Sequence, residues 1–308
     1  MFFKNLTVLQ LADAFALNGL ELEAKLEARR FVACGSLEPR AVGWVSPLAK
    51  NDAALVHQAN GYLMICLKVE DKVLPSGVIN EVVSERVEAF SESQGRFPSR
   101  KERESIRDEV LTDLLPRAFS QSRKTYAYLD PRKGWLVIDA ASPRKAEDVV
   151  ALLRQCLDGF PVRPLRVQER PGFVMTEWLA KGNLPDGVTL ENECELKSKE
   201  EDGAVVRCRK QDLVVPEMLN HIEAGKELIK LALTFNDRLS LVLDDTLAIR
   251  RLKFLDTPDE APKEEVGDDP VRQFDADFTL MTLEFDLLLS SILGWFGGEV
   301  REDLPKNA

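Results

Sequence analysis

The residues of this 308-residue chain best suited to catalysis are two carboxylate pairs, Asp244-Asp245 and Asp275-Ala276-Asp277. Paired carboxylates can hold Mg²⁺, the hard cation that assists phosphodiester cleavage. Both pairs also have a plainer reading, and it is the better one. Asp244-Asp245 falls where a hairpin turn is expected, and Asp favours turns because its side chain bonds nearby backbone. Asp275 and Asp277 precede a helix, where acids meet the positive end of the dipole.

Only two histidines occur, which argues against His-based catalysis and His-rich metal binding. His221 lies in Asn220-His221-Ile222-Glu223-Ala224-Gly225-Lys226. It suits phosphate contact or proton transfer, but a structural place near a helix C-terminus is preferred, and His57 reads as structural too. The five cysteines, Cys34, Cys66, Cys156, Cys194 and Cys208, form no Cys-x-x-Cys pair and are expected as free, partly buried thiols. Glycine-rich nucleotide loops, Gly-x-Ser-x-Gly and His-Glu-x-x-His are all missing from the sequence. The expectation is a non-enzymatic protein with no metal and no cofactor.

Basic residues carry more promise. Lys226 and Lys230 are four apart on an expected strand, which would point them to one face, with Ile229, Leu231, Leu233 and Phe235 facing a core. Arg250, Arg251 and Lys253 belong to a nearby strand, and Arg207, Arg209 and Lys210 end an earlier one. A sheet with an apolar back and a Lys/Arg front is a plausible surface for tracking phosphates, and equally an ordinary solvated face. Phe119, with Arg117 beside it, fits either a core position or an exposed anchor at a protein interface.

Net charge is −11, which at first sight opposes binding to a polyanion. The distribution is uneven: residues 254–308 hold 4 basic against 14 acidic residues, and residues 100–170 hold 15 against 11. Local potential governs attraction, so the total does not exclude DNA. The overall composition, 44% hydrophobic and 30% charged, is that of an ordinary globular protein. No unbroken apolar run reaches the ~18–20 residues of a membrane span. The start, Met1-Phe2-Phe3-Lys4-Asn5, does not resemble a secretory signal, so a cytoplasmic location is expected.

The elements that must position these residues form an α+β pattern. Strands are expected at Phe3–Leu11, Phe31–Gly35, Ala41–Val45 and Tyr62–Val69, with a helix over Leu20–Arg30 and a tight turn at Asn60-Gly61. Helical spacing takes over from Val78 to Phe90, and Ser91–Pro98 reads as a loop. Ser99-Arg100-Lys101-Glu102 has the form of a capping box that starts a second helix, ending before Pro116. These two helices are expected to make a projecting hairpin over 77–115. Strands at Lys124–Leu129 and Trp135–Ala140 and a helix from Ser142-Pro143 complete a central domain, residues 1–76 and 116–168.

Residues 169–308 are expected to form a second α+β domain. It would hold helices at Val174–Ala180 and Pro216–Ala224, and strands near Val188–Leu190 and Ala204–Lys210. A meander of Glu227–Phe235, Leu239–Leu243 and Leu247–Leu255 follows, then a solvated acidic loop, Asp256–Asp269, and a terminal helix over Phe278–Phe296.

Several blocks together identify a family. Phe3-Lys4-Asn5-Leu6, Gly43-Trp44-Val45, Leu114-Leu115-Pro116-Arg117-Ala118-Phe119, Lys210-Gln211-Asp212-Leu213, Arg251-Leu252-Lys253-Phe254 and Arg272-Gln273-Phe274-Asp275-Ala276-Asp277-Phe278 resemble the recombination-associated RdgC family in order and spacing. The resemblance implies sequence-independent binding of single- and double-stranded DNA, antagonism of the RecA recombinase, and a nucleoid-associated protein. It further implies a horseshoe-shaped subunit, two of which close a homodimeric ring lined by positive charge. In that picture the helical hairpin is a finger, and Arg117, Phe119, Lys210 and Gln211 lie at or near the contacts that close the ring. Lys226, Lys230, Arg250, Arg251, Lys253, Arg209, Lys210 and Arg117 are then the expected DNA contacts. The alternatives are a module that contacts RecA directly through Phe119 or the acidic C-terminal surface, and a Mg²⁺-dependent nuclease.

Overall fold

The computed structural model describes residues 2–12, 15–48, 54–200, 203–255 and 270–300. The expected acidic loop, 256–269, lies outside the described residues. The fold is α+β, with two antiparallel sheets.

The first sheet contains β1 (Thr7–Leu11), β2 (Arg40–Val45), β3 (Val56–Ala59), β4 (Tyr62–Val73), β5 (Phe119–Asp130), β6 (Trp135–Ile138) and β7 (Val162–Pro164). Their order is β2-β4-β5-β6-β1-β7, and β3 also pairs with β4. The Asn60-Gly61 turn joins β3 to β4 as expected, with both residues at positive φ (49° and 82°), the geometry that matches strand twist. β4 and β5 outrun the expected strands because each supplies the other with a partner along its full length, from Leu63 opposite Leu129 to Val73 opposite Phe119.

The expected strand at Phe31–Gly35 does not form. Phe31 N donates once to Trp44 O, and the chain then crosses β2 instead of running along it. Gly43 permits the crossing: a Cβ there would come 2.4 Å from Phe31 Cα.

One face of this sheet is covered by α1 (Gly19–Leu26) and α4 (Pro143–Cys156). Asn18 and Glu21 satisfy each other's backbone N–H groups at the start of α1, whose Leu22 and Leu26 are fully buried. They pack with Trp44, Ile65, Leu136, Val149 and Leu153. From β4, α2 (Ser76–Gln94) and α3 (Arg100–Leu114) depart as a pair. Gly95 ends α2 at φ 64°, and the capping box forms as the sequence requires: Ser99 N donates to Glu102 Oε2 at 2.7 Å. Ile79, Val87, Ile106 and Val110 give this pair a small apolar core of its own, separate from the rest.

The second sheet contains β8 (Val188–Ser198), β9 (Val205–Arg209), β10 (Lys226–Phe235), β11 (Leu239–Asp244) and β12 (Ile249–Phe254), ordered β12-β11-β10-β8-β9. Two further helices, α5 (Pro171–Lys181) and α6 (Pro216–Glu223), pack on β10.

The C-terminal α7 (Pro270–Trp295) touches both sheets. Phe278 meets Tyr62 and Tyr128 of the first, while Phe285 and Trp295 meet Phe254 and Phe235 of the second. One apolar cluster therefore runs from Phe3 and Tyr128 through α5 and α7 to Leu231 and Leu243. By length and composition α7 is apolar enough to cross a membrane. Its Phe278, Met281, Phe285, Leu288, Leu289 and Ile292 are instead buried in this core, and Leu280, Leu283 and Leu287 are left exposed.

Candidate nucleic-acid interface

Alternation along the second sheet sets which side chains leave the core. On β8, Cys194 and Leu196 are buried, so Glu193, Glu195 and Lys197 face away. On β9, Arg207 and Arg209 are exposed opposite Glu195 and Glu193. The sequence pattern Glu191-x-Glu193-x-Glu195-x-Lys197 signals this strand, but the expectation stopped at Leu190 and missed its acids.

β10 breaks the alternation. A register shift between Leu228 and Lys230 buries Leu228 and leaves Ile229 half-exposed. The expected arrangement, with Lys226 and Lys230 on one face and Ile229 in the core, is corrected by this bulge. Lys226 takes the side of Leu228, and its Nζ lies 3.4 Å from His221 Nδ1 on α6. Lys230 takes the open side and bonds to Glu195. His221 thus sits beside a lysine near the end of α6.

A second bulge, on β12, falls between the partners of Ser240 and Val242 and places Arg251 at φ 52°. Arg250 and Lys253 stand opposite Val242 and Ser240 on the open side. Arg251 reaches Glu193 at 2.8 Å, so cations from β12 and β9 share one carboxylate. Glu195 similarly joins Lys230 to Arg207. Burial alone would raise the Glu195 carboxyl, but Lys230 and Arg207 outweigh it and hold it below the usual carboxylate range. The open face is therefore a network of cations bridged by fewer acids.

Asp244, the Cα partner of Lys230, ends β11 and is buried. Its carboxylate accepts from Thr246 N at 3.0 Å and Ala248 N at 2.9 Å, and Arg250 closes on it at 3.1 Å. That is the turn role expected for it. Burial, reinforced by Asp244, pushes the neighbouring Asp245 carboxyl up. Asp275 meets His57 Nε2 at 3.1 Å, and Asp277 accepts from Gln273 within the first turns of α7. Among the described residues no three His, Cys, Asp or Glu side chains group as a metal site would require.

The remaining expected residues are dispersed. Lys210, exposed and at φ 56°, follows β9, and Gln211 bonds to Glu217 on α6 at 3.0 Å. Arg117 and Phe119 lie away from this sheet, at the exit from α3. Arg117 closes a 3₁₀ turn over Leu115–Arg117, and Phe119 opens β5 beside Val73. Phe119 is 86% exposed, so it occupies the surface position and not the core one. Five of the expected DNA contacts, Lys230, Arg209, Arg250, Arg251 and Lys253, are brought together on one sheet; Lys226, Lys210 and Arg117 are not part of that face.

Comparison with known proteins agrees with the blocks read from the sequence. The family profile described as "Putative exonuclease, RdgC" matches residues 1–299. A protein of Aeromonas hydrophila named Recombination-associated protein RdgC is 42% identical over 299 residues, 97% of this chain and 99% of its own. Its namesakes from Tolumonas auensis and Psychromonas ingrahamii are 42% and 41% identical, covering 98% and 97% of this chain and 100% and 99% of theirs. This chain belongs to the RdgC family of recombination-associated proteins.

Proposed function

We propose that this chain binds single- and double-stranded DNA without sequence preference, as a ring-forming homodimer that limits RecA-promoted recombination. The observation that carries the reading is the open face of the second sheet, where Lys230, Arg207, Arg209, Arg250, Arg251 and Lys253 outnumber Glu191, Glu193, Glu195 and Asp244 on a chain whose net charge is −11. Lys and Arg tips on a sheet face meet phosphates, which are the same at every step, so such a surface gives affinity without base readout. The acids between them hold the guanidinium groups in place and temper the attraction.

The deciding experiment is fluorescence anisotropy with duplexes and single strands of unrelated sequence at low and moderate salt. Binding should be indifferent to sequence and weaken by roughly a hundredfold or more across that salt range, because each neutralised phosphate releases counterions. Absence of binding at low salt would overturn the reading.

The family's printed description raises exonuclease activity. Asp244 is committed to its turn and Arg250, and Asp275 to His57, which supports a binding role in preference to phosphodiester cleavage. Incubation of labelled DNA with Mg²⁺ should leave it intact; shortened products would favour the nuclease.

A further inference from the structure

A groove of 430 Å³ runs where the N-terminal segment crosses the edge strand β12, lined by Phe2, Phe3, Lys4, Asn5 and residues 251–254. Two aromatic rings form its wall: Phe2 and Phe254 lie 4.4 Å apart, tilted by 42°. Both are only half-buried, unlike Phe3, which is 1% exposed and belongs to the core. Lys4 and Lys253 are exposed at its rim, and neither makes an ion pair among the described residues. The strand beside it carries the bulge that holds Arg251 at φ 52°.

This combination differs from the open sheet face. There, cations are bridged by glutamates and nothing aromatic is offered. Here, apolar ring surface lies between two lysines. An aromatic surface flanked by cations suits an unpaired base, whose π-face stacks while its neighbouring phosphates meet the charges. A duplex cannot use it, because its bases are already stacked.

Resting on the DNA-binding reading, we infer that the Phe2–Phe254 groove is a stacking subsite for a base of single-stranded nucleic acid, with Lys4 and Lys253 holding the adjacent phosphates. Lys253 then stands at the junction of two surfaces: the sheet face that takes any phosphate backbone, and a groove that takes only an unpaired base. The protein would hold a single strand by more than charge.

The test compares three probes on the full chain: a labelled oligothymidylate, a strand of the same length and charge built from abasic sites, and a duplex. Wild-type protein should bind the oligothymidylate about tenfold more tightly than the abasic strand. Phe2→Ala and Phe2→Leu should both abolish that difference and leave duplex binding unchanged. Equal binding of the two strands by wild type would overturn the inference while leaving the general reading intact, and so would full retention of the difference in Phe2→Leu, which keeps apolar volume without a π-face. Failure of the wild type to bind any probe would sink both. Should Phe2 variants unfold, Lys4→Ala at an exposed side chain takes their place: it should weaken oligothymidylate binding several-fold and leave duplex binding unchanged, and unaltered oligothymidylate binding would overturn the inference.

Discussion

Leu6 and Ile249 exchange both backbone hydrogen bonds: Leu6 N donates to Ile249 O at 2.8 Å, and Ile249 N to Leu6 O at 3.0 Å. One residue later, Thr7 pairs with Ile138 in the other sheet. The N-terminal segment thus passes directly from the edge of one sheet into the other, with Phe3 and Leu6 buried where it crosses. Residues far apart in sequence are held together by this crossing, and so are the two lysines of the groove. Leu6 is 0% exposed, and its truncation leaves a cavity between the sheets. Leu6→Ala should cost about 2–5 kcal/mol, read from the urea midpoint at unchanged slope.

On the open face, Glu195 holds Lys230 and Arg207, so its charge opposes phosphate at their expense. Glu195→Gln should tighten binding to every DNA sequence several-fold and steepen the salt dependence, because two cations then face solvent unbridged. Lys230→Ala should weaken binding to all sequences alike. Lys226→Ala should do neither, since Lys226 lies toward His221 on the other side of the bulge. Anisotropy titrations of the three variants check this, and an effect of Lys226 equal to that of Lys230 would contradict the assigned faces.

The contrast between those two lysines shows what the sequence could and could not reveal. Local chemistry was legible: Asn60-Gly61 demands positive φ, Ser99 and Glu102 form their capping box, and Asp244 anchors a turn, each through interactions within a few residues. The α+β class and the meander follow from periodicity in the same way. A bulge is set by a partner strand, so the spacing of Lys226 and Lys230 gave the wrong face. Phe31–Gly35 failed as a strand because Gly43, distant in sequence, let the chain cross. The acids on β8 were overlooked because their importance appears only when β9, β10 and β12 bring cations to them. Sequence blocks identified the family across the whole chain, but they do not encode which basic side chains meet.

Phe119 presents a nearly bare ring beside Arg117 and Val73, itself 43% exposed. Aromatic and arginine side chains are the usual anchors of protein interfaces. If Phe119 closes the proposed homodimer, Phe119→Ala should shift the mass in solution toward the monomer and leave the far-UV circular dichroism of the folded subunit unchanged, as expected for an exposed side chain. Light scattering across a concentration series reads the shift. An unchanged mass would remove Phe119 from the interface.

Asp139, just beyond β6, fixes the N-terminal segment from the other side. Its Oδ1 accepts from Lys4 N at 3.2 Å and Asn5 N at 2.9 Å. Burial pushes its carboxyl above the ordinary value despite these donors. The sign follows from linkage: a raised carboxyl in the folded state means that ionisation is penalised by folding. This group therefore favours the fold most at low pH and loses that contribution as pH rises from the ordinary carboxylate value through its folded one. Asp139→Asn keeps an oxygen to accept both N–H groups and carries no charge to desolvate. The variant should be more stable than wild type at neutral pH, with the gap closing as pH falls toward 4 and below. Urea unfolding across that range decides it: a variant less stable at neutral pH would mean that the charge on Asp139, and not its oxygen alone, holds Lys4 and Asn5 in place.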